Sequence, residues 1–361
     1  MVHVLIIAPA LSRGGMERQL SIFLEKYDRK QIKATLALLK DNIQYEIPQD
    51  VEVIVFNKKY KVDFPFYYRL ISLLLNKKYH VVNSKLSGVN ELLMTLCGLL
   101  RKKNLVVEIR SAGAHVLPYY KKMSVLYKIY KMNWPVICNS QKAVKELRSY
   151  VPSDVSIYLV RNGINTTKFT KEIKENRNTK KIVIGFTGSI RPVKNVKILL
   201  EAVSILCKKH ATHVSLEIIG YVRDHEYYKD LLSLSEALNI EECVKWSNTT
   251  DRVEEFYNMI DVFVLPSFHE GTPNVLLEAM SCECVCLVSK AANSDNFLGE
   301  QFVFDENDAD SLVEKVLWYR QLSQEEREEI GRKNRAYVET NYQIDKMVNS
   351  MTSLLLKVGK Q

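Results

Sequence analysis

Short apolar runs alternate with amphipathic segments along most of this chain. Continuous apolar runs of this length are typical of strands buried on both faces of a parallel sheet, and the segments between them have helical spacing. The pattern therefore predicts an α/β fold built from doubly wound parallel sheets. The predicted strands are 2–8, 34–39, 51–56, 81–83, 106–109, 136–138, 157–160, 182–187, 214–219, 244–246, 262–265 and 285–288, and helices are predicted at 310–321, 324–340 and 344–357.

The alternation breaks near Asn162 and restarts at 182, which predicts two domains. The polar stretch 166–180 between them is typical of an exposed linker. We predict an N-terminal Rossmann-like domain over 1–163, joined by a C-terminal helix over about 342–361, and a second Rossmann-like domain over 164–341. Because such sheets bind ligands beyond the carboxyl ends of their strands, we expect the domains to face across a cleft, with the donor on the second and the acceptor on the first.

The most informative motif follows predicted strand 262–265 and places Glu270 and Glu278 eight positions apart. Thr272 and Pro273 predict a helix that begins right after Gly271, with Thr272 as its cap. Free N–H groups at a helix start suit a diphosphate, and the two carboxylates suit sugar hydroxyls. The motif thus indicates a sugar-nucleotide pocket. The donor-binding candidates are Gly188, Glu270, Gly271, Thr272, Pro273, Asn274, Val275 and Glu278.

Glycine-containing turns follow the first strand of each predicted domain, at Gly14-Gly15 and at Gly188. Glycine lets a ligand approach the backbone closely, with a tight turn that requires positive φ as the alternative. The first turn is not G-x-G-x-x-G, which disfavours a nicotinamide or flavin dinucleotide. We assign Gly14, Gly15 and Arg18 to a phosphate or acceptor loop.

Two cations, Arg191 and Lys194, lie beside the turn at Gly188. They are suited to neutralise a departing diphosphate, with solvated surface charges as the alternative. Together with Glu270 they are our candidate catalytic residues.

On the acceptor side, the candidates are Arg110, Ser111 and His115, which follow predicted strand 106–109. A lone histidine in a loop usually has no special role, and the catalytic role of His115 stays open. Asp308-Ala309-Asp310 matches a D-x-D metal motif by letter only, and helix capping explains it better. No metal site and no cofactor are predicted.

The charge of +9 on 361 residues indicates an anionic partner. Bases and aromatics alternate in 57–69 and 119–131, which suits an anionic membrane surface, single-stranded nucleic acid or a solvated helix face. No recognised nucleic-acid module accompanies these stretches. The N-terminus is typical of a buried strand and not of a signal peptide. No run approaches the roughly 18 apolar residues of a membrane span. The seven cysteines are scattered, which favours free thiols in a cytosolic protein.

Taken together, these residues resemble the retaining glycosyltransferases of family 4, which have the GT-B architecture. The resemblance covers nearly the whole chain and rests chiefly on 261–267 and on the E-x7-E motif from Glu270 to Glu278. It implies that Glu270 contacts the donor sugar, that Glu278 contacts the nucleotide ribose, and that Arg191 and Lys194 hold the diphosphate. It also implies metal-independent transfer with retention of configuration.

Three departures from the family pattern matter, and the last of them, in the loop 289–295, lies near the donor in the family. Asn165 replaces the usual Asp after Asn-Gly-Ile, the segment 281–284 lacks the usual Gly-Pro, and the loop 289–295 lacks the usual Gly-rich segment. In addition, Arg110-Ser111 stands where many members carry a histidine. The identity of the donor base and sugar is therefore left open by the sequence.

The leading hypothesis is a hexosyltransferase that moves a sugar from a nucleoside-diphosphate sugar to a hydroxyl of a lipid-linked glycan in surface polysaccharide biosynthesis. UDP is favoured by family breadth, and GDP stays open. We expect the enzyme at the inner, cytoplasmic face of the membrane, in contact with anionic lipid and not with nucleic acid. The alternatives are a sugar-nucleotide 2-epimerase or sugar phosphorylase on the same fold, or a non-catalytic anion- or nucleic-acid-binding protein.

Overall fold

The computed structural model describes residues 1–12, 14–60, 63–85, 87–110, 117–172 and 181–360, without the side chains of Ser87 and Tyr130. The chain divides into two compact units. Unit 1 comprises Met1–Gly163 with Ile344–Gln361, and unit 2 comprises Ile164–Gln343.

Unit 1 contains a seven-stranded parallel sheet in the order β3-β2-β1-β4-β5-β6-β7. Its strands are β1 (Val2–Ala8), β2 (Ile32–Leu38), β3 (Glu52–Val55), β4 (Val81–Lys85), β5 (Leu105–Ile109), β6 (Val136–Cys138) and β7 (Ile157–Leu159). Its helices are α1 (Gly15–Lys26), α2 (Phe64–Leu75), α3 (Ser87–Leu99), α4 (Leu117–Tyr130), α5 (Gln141–Arg148) and α12 (Ile344–Gly359). Since β1 pairs with β2 on one side and β4 on the other, the strand order reverses between β1 and β4, which makes this the topological switch point.

The sheet of unit 1 is covered on both faces, as continuous apolar strands require. Along β1, Leu5 and Ile7 pack into one hydrophobic cluster, whereas Val4 and Ile6 pack into another. Helix α12 belongs to the second cluster and packs against β1. A Cβ added to Gly359 would lie 2.5 Å from Cγ1 of Val2, so this close approach requires glycine.

Unit 2 contains a six-stranded parallel sheet in the order β10-β9-β8-β11-β12-β13. Its strands are β8 (Ile182–Thr187), β9 (Val214–Ile219), β10 (Val244–Ser247), β11 (Val262–Leu265), β12 (Val285–Ser289) and β13 (Val303–Phe304). Its helices are α6 (Val196–His210), α7 (His225–Ala237), α8 (Val253–Met259), α9 (Asn274–Ser281), α10 (Ala309–Gln321) and α11 (Gln324–Asn341). The switch point of this sheet lies between β8 and β11.

The predicted linker over 166–180 is exposed at five of its seven described residues, 167, 168, 170, 171 and 172, but Phe169 attaches it to unit 2. Phe169 is only 5% exposed and joins the core of unit 2, with its ring 6.1 Å from that of Tyr257. Arg335 on α11 donates hydrogen bonds to the carbonyl oxygens of Phe169 and Thr166, each at 3.1 Å. One aromatic among polar residues produces no periodic signal, although its burial is enough to attach the segment. Residues 173–180 lie outside the described residues.

Candidate active site

Two loops of unit 2 meet at the switch point of its sheet. The first leaves β8 at Gly188 and contains a 3₁₀ turn, Pro192–Lys194. The second leaves β11 and carries Glu270. The amide of Phe268 donates a 2.9 Å hydrogen bond to the carbonyl oxygen of Val193, which joins the loops. The sheet topology therefore brings together residues that are far apart in the sequence.

Lys194 and Glu270 form an ion pair at the centre of this arrangement. Lys194 Nζ lies 2.5 Å from Glu270 Oε1, and Ser267 Oγ donates to the same oxygen at 2.8 Å. Both charged side chains are largely buried, at 14% and 13% exposure. Within the described part of the chain, the second carboxylate oxygen, Oε2, accepts no hydrogen bond. Glu270 is thus held in place by one oxygen and offers the other to a ligand hydroxyl.

Arg191 lies on the same loop as Lys194 and is half-buried. Its Nε is buried and has no hydrogen-bond partner among the residues that the structure describes. A buried guanidinium N–H without an acceptor is costly, and an anion is its best acceptor. The loop therefore has two cations, one of which has an unsatisfied donor, and their contact with a diphosphate stays a prediction.

Gly188 has φ +155°, a conformation that side-chain-bearing residues rarely adopt. Its amide donates to the carbonyl oxygen of Ile219 at 3.0 Å, so this N–H belongs to the sheet. A Cβ on neighbouring Gly220 would lie 1.9 Å from the carbonyl oxygen of Gly188. The structure thus gives Gly188 a role in the turn, and its contact with a donor stays a prediction.

Helix α9 begins at Asn274, so the predicted start right after Gly271 is wrong, and Thr272 does not cap it. Pro273 is the N-cap residue, with no side-chain cap, and its carbonyl oxygen accepts from Leu276 at 3.1 Å. Proline at this position has an extended backbone (φ −77°, ψ 102°), which keeps Thr272 outside the helix. Gly271 and Thr272 are half-buried in the loop, Asn274 is buried, and Val275 is half-buried in the first turn.

Glu278 lies inside α9, as predicted, and its side chain is buried. The hydroxyl of Tyr257, which is also buried, donates to Glu278 Oε2 at 3.1 Å. This hydrogen bond fixes the orientation of the carboxylate. Its contact with a ribose stays a prediction.

In unit 1, the Gly14-Gly15 turn joins β1 to α1 at the switch point. Gly14 is the N-cap residue of α1 with extended backbone (φ −172°), so positive φ does not explain the glycine. Gly15 is exposed, and the amide of Arg18 donates to the carbonyl oxygen of Gly14 at 3.0 Å. An exposed glycine turn at this position permits a ligand to approach, and the role of the loop stays a prediction.

Arg110 follows β5 and takes part in a buried charged cluster that the sequence analysis did not identify. Its Nε donates to Glu108 Oε2 at 3.0 Å, and Lys85 Nζ forms a short ion pair with Glu108 Oε1. Burial lowers the pKa of Lys85 to about 8. Burial alone would raise the pKa of Glu108, but the charges of Lys85 and Arg110 outweigh it and hold that pKa below its usual value. The sequence feature that could have revealed this cluster is the occurrence of charged residues at the ends of two apolar strands.

Ser111 and His115, the other acceptor-side candidates, lie outside the described residues. The described ranges contain no group of three or more His, Cys, Asp or Glu side chains placed to hold a metal ion. Asp308 caps α10, since its Oδ1 accepts from the amide of Asp310 at 3.0 Å, which confirms the predicted capping role.

Comparison with known proteins places unit 2 in a family. Residues 167–337 match the family model for glycosyl transferases group 1. The chain is 22% identical over 301 residues to the capsular polysaccharide biosynthesis glycosyltransferase CapH of Staphylococcus aureus, covering 80% of this chain and 81% of CapH. It is 26% identical over 268 residues to the UDP-Gal:α-D-GlcNAc-diphosphoundecaprenol α-1,3-galactosyltransferase of Escherichia coli, covering 69% of this chain and 68% of that protein.

Solved structures show the same fold over nearly the whole chain. HepE of Anabaena, in complex with UDP and glucose, aligns with a TM-score of 0.81 at 15% identity, over 99% of this chain and 100% of HepE. WaaG, a glycosyltransferase involved in lipopolysaccharide biosynthesis, aligns with a TM-score of 0.72 at 14% identity, over 98% of this chain and 99% of WaaG. The predicted pair of Rossmann-like sheets with the GT-B fold is confirmed, and residues 167–337 within unit 2 are the part of the chain that matches the glycosyl transferases group 1 family.

Proposed function

We propose that this glycosyltransferase moves a hexosyl group from a UDP-sugar to a hydroxyl of a lipid-linked glycan, with retention of configuration and without a metal ion. The observation that carries the proposal is the Lys194–Glu270–Ser267 arrangement at the switch point of unit 2, beside Arg191 with its unsatisfied Nε. Cations suited to a diphosphate and a carboxylate suited to a sugar hydroxyl occur here together.

In the proposed reaction, the bond between the anomeric carbon and the diphosphate oxygen breaks while the acceptor oxygen bonds to the same face of that carbon. The departing diphosphate gains negative charge, which Arg191, Lys194 and the first N–H groups of α9 stabilise. Its oxygen accepts the proton of the acceptor hydroxyl, so no protein base is needed at that step. Glu270 Oε2 accepts from a hydroxyl of the donor sugar and orients it.

The choice of UDP draws on two known proteins. HepE has been solved with UDP and glucose, and the E. coli relative uses UDP-Gal and a diphosphoundecaprenol-linked acceptor. The E. coli relative also motivates the lipid-linked acceptor, and CapH, named for capsular polysaccharide biosynthesis, motivates the pathway class.

The donor assignment predicts that UDP raises the melting temperature of the wild-type protein in EDTA more than GDP or ADP does. Glu278→Gln should bind UDP more weakly, because an amide is a poorer acceptor for ribose hydroxyls, while it retains the bond from Tyr257. Thermal-shift titrations measure both effects. Glu328→Gln, on the exposed side of α11, is the matched control. Equal UDP affinity in Glu278→Gln and wild type would remove the ribose assignment.

We also propose that unit 1 contacts an anionic membrane. Among the described residues no helix has the length and apolar character of a membrane span, so the contact would be peripheral. Phe64 and Tyr68 project exposed from one face of α2, and Val125 and Ile129 do so from α4. In α4, Lys121 and Lys128 line a groove with Tyr150 and Pro152, which suits a lipid headgroup phosphate.

The membrane assignment predicts binding to phosphatidylglycerol vesicles that is weaker for phosphatidylcholine and falls with salt. The double variant Val125→Ser/Ile129→Ser should reduce the bound fraction several-fold, because it removes apolar area from the interface. Co-sedimentation with vesicles measures this, with Met259→Ser, an exposed apolar residue of unit 2, as the control. If the α4 variant and the control bind alike, this surface is not the contact.

A further inference from the structure

Three charged side chains, Lys85, Glu108 and Arg110, form a cluster at the carboxyl ends of β4 and β5. Glu108 accepts from Lys85 with Oε1 and from Arg110 with Oε2. The side chains are 1%, 0% and 10% exposed, in that order. We call these three residues the β4–β5 cluster.

The β4–β5 cluster contains two cations and one anion. Within the described ranges, Glu108 is the only acidic residue paired with either cation. An uncompensated buried charge is strongly unfavourable, whereas a bound anion would balance it. One positive charge of the cluster is thus left without an acidic partner among these residues, and an anionic ligand would balance it.

The geometry of Arg110 indicates where the ligand binds. Nε is occupied by Glu108, and Nη1 donates to Asn162 Oδ1 at 3.0 Å. Nη2 has no acceptor in the part of the chain that the structure describes. Two hydrogen bonds thus fix the plane of the guanidinium and leave N–H donors available, which is the arrangement that binds phosphate oxygens in pairs.

Neighbouring residues hold the cluster rigid. Asn90 on α3 donates to the carbonyl oxygen of Glu108 at 2.6 Å, and Ser84 Oγ donates to Asn90 Oδ1 at 2.6 Å. Because Ser84 and Lys85 end β4, the strand that flanks the switch point of unit 1, the cluster lies where parallel sheets bind their ligands.

We propose that Arg110, oriented by Glu108 and assisted by the charge of Lys85, binds the diphosphate of the lipid-linked acceptor. This inference rests on the proposed function and adds an acceptor-recognition residue to it. It makes the linkage group, rather than the glycan alone, a determinant of which acceptor is used. A related enzyme whose acceptor sugar is attached through diphosphoundecaprenol supplies the chemical class of that linkage.

The test uses the full chain with saturating UDP, so that the site of unit 2 is occupied. Isothermal titration calorimetry then compares farnesyl diphosphate, inorganic diphosphate and farnesol. Arg110→Gln should weaken both diphosphates by about tenfold or more, since a charged hydrogen bond is lost, and should leave farnesol unchanged. Arg110→Lys keeps the charge without the planar fork and should fall between Arg110→Gln and wild type.

Lys103→Gln removes one exposed positive charge from unit 1 and serves as the matched control. Equal diphosphate affinity in Arg110→Gln, Lys103→Gln and wild type would overturn the inference, as would the absence of diphosphate binding to wild type. If Arg110→Gln lowers the affinity for both diphosphates equally, the site recognises the phosphates themselves. If it lowers only the affinity for farnesyl diphosphate, the site recognises the diphosphate together with its lipid. UDP binding, measured first, reports separately on the proposed function, because Arg110 belongs to the other unit.

Discussion

Lys194→Ala is expected to lower kcat by roughly 100- to 1,000-fold, the loss typical of removing one preorganised stabiliser of transition-state charge. The departing diphosphate becomes more negative as the glycosidic bond breaks, so a fixed cation helps the transition state more than the bound donor. The substitution also frees Glu270 from its ion pair, which leaves that carboxylate held by Ser267 alone. We therefore expect kcat to change more than the KM for the donor.

Release of UDP from a UDP-hexose provides the rate. Lys197→Ala is a close control, because Lys197 lies three positions further on, is exposed and pairs with Glu201 on the surface of α6. A folded Lys194→Ala protein with turnover near that of Lys197→Ala would contradict the assignment of Lys194. Glu270→Gln is a second test variant in the same assay, because glutamine has the size of glutamate but lacks the charge that orients Lys194.

Unit 2 is expected to lose about 4 kcal/mol of unfolding free energy between pH 8 and pH 10 because of three buried thiols. Burial raises the pKa of Cys282 to about 12 and the pKa values of Cys284 and Cys286 well above their usual value. The folded state thus retains protons that the unfolded state releases above about pH 9. Stability is fully present below that pH, and each thiol lowers it by somewhat more than about 1 kcal/mol at pH 10.

Unit 1 should respond less over the same pH range. Burial also raises the pKa values of Cys97 and Cys138, each to about 12, which again costs stability as the pH rises. The lowered pKa of Lys85, about 8, acts in the opposite direction, because the unfolded chain then binds the extra proton. The two effects therefore oppose each other in unit 1.

Urea unfolding at pH 8 and at pH 10 under reducing conditions, followed by tryptophan fluorescence, measures the unfolding free energy that unit 2 loses. Trp246 and Trp318 belong to unit 2 and Trp134 to unit 1, so the background variant Trp134→Phe isolates the signal of unit 2. Cys286→Ala should reduce the loss between pH 8 and pH 10 by about one third, whatever cavity it leaves. An unchanged pH dependence in Cys286→Ala would show that this thiol does not carry the effect.

Some functional chemistry could be identified from local sequence alone. The sequence pattern predicts Glu270 in a turn after an apolar strand and Glu278 within the following helix. Both residues lie there in the structure. Lys194 and Glu270 were both candidates, but their pairing spans 76 positions and no local rule predicts it. Ser267, which holds Glu270, was not a candidate, because a serine after a strand is common and only its 2.8 Å hydrogen bond reveals its role.

The errors also have physical causes. The start of α9 was placed too early because Thr-Pro is a common way to begin a helix, and in this loop Pro273 stays extended as the cap. Strand β13, with two residues, is too short for any periodicity to appear. The β4–β5 cluster was missed because lysine and glutamate at strand ends normally face solvent, and only the packing around them shows that they are buried.

The sequence by itself determined the two parallel sheets, since continuous apolar strands separated by amphipathic helices can be buried in few other ways. It also determined the capping of α10 by Asp308, because capping involves neighbours along the chain. Tertiary structure alone decided which loops meet at the switch points, which carboxylate pairs with which cation, and that Phe169 and Lys85 are buried. These features depend on contacts between distant segments, whose free energy comes from packing and desolvation and not from local propensity.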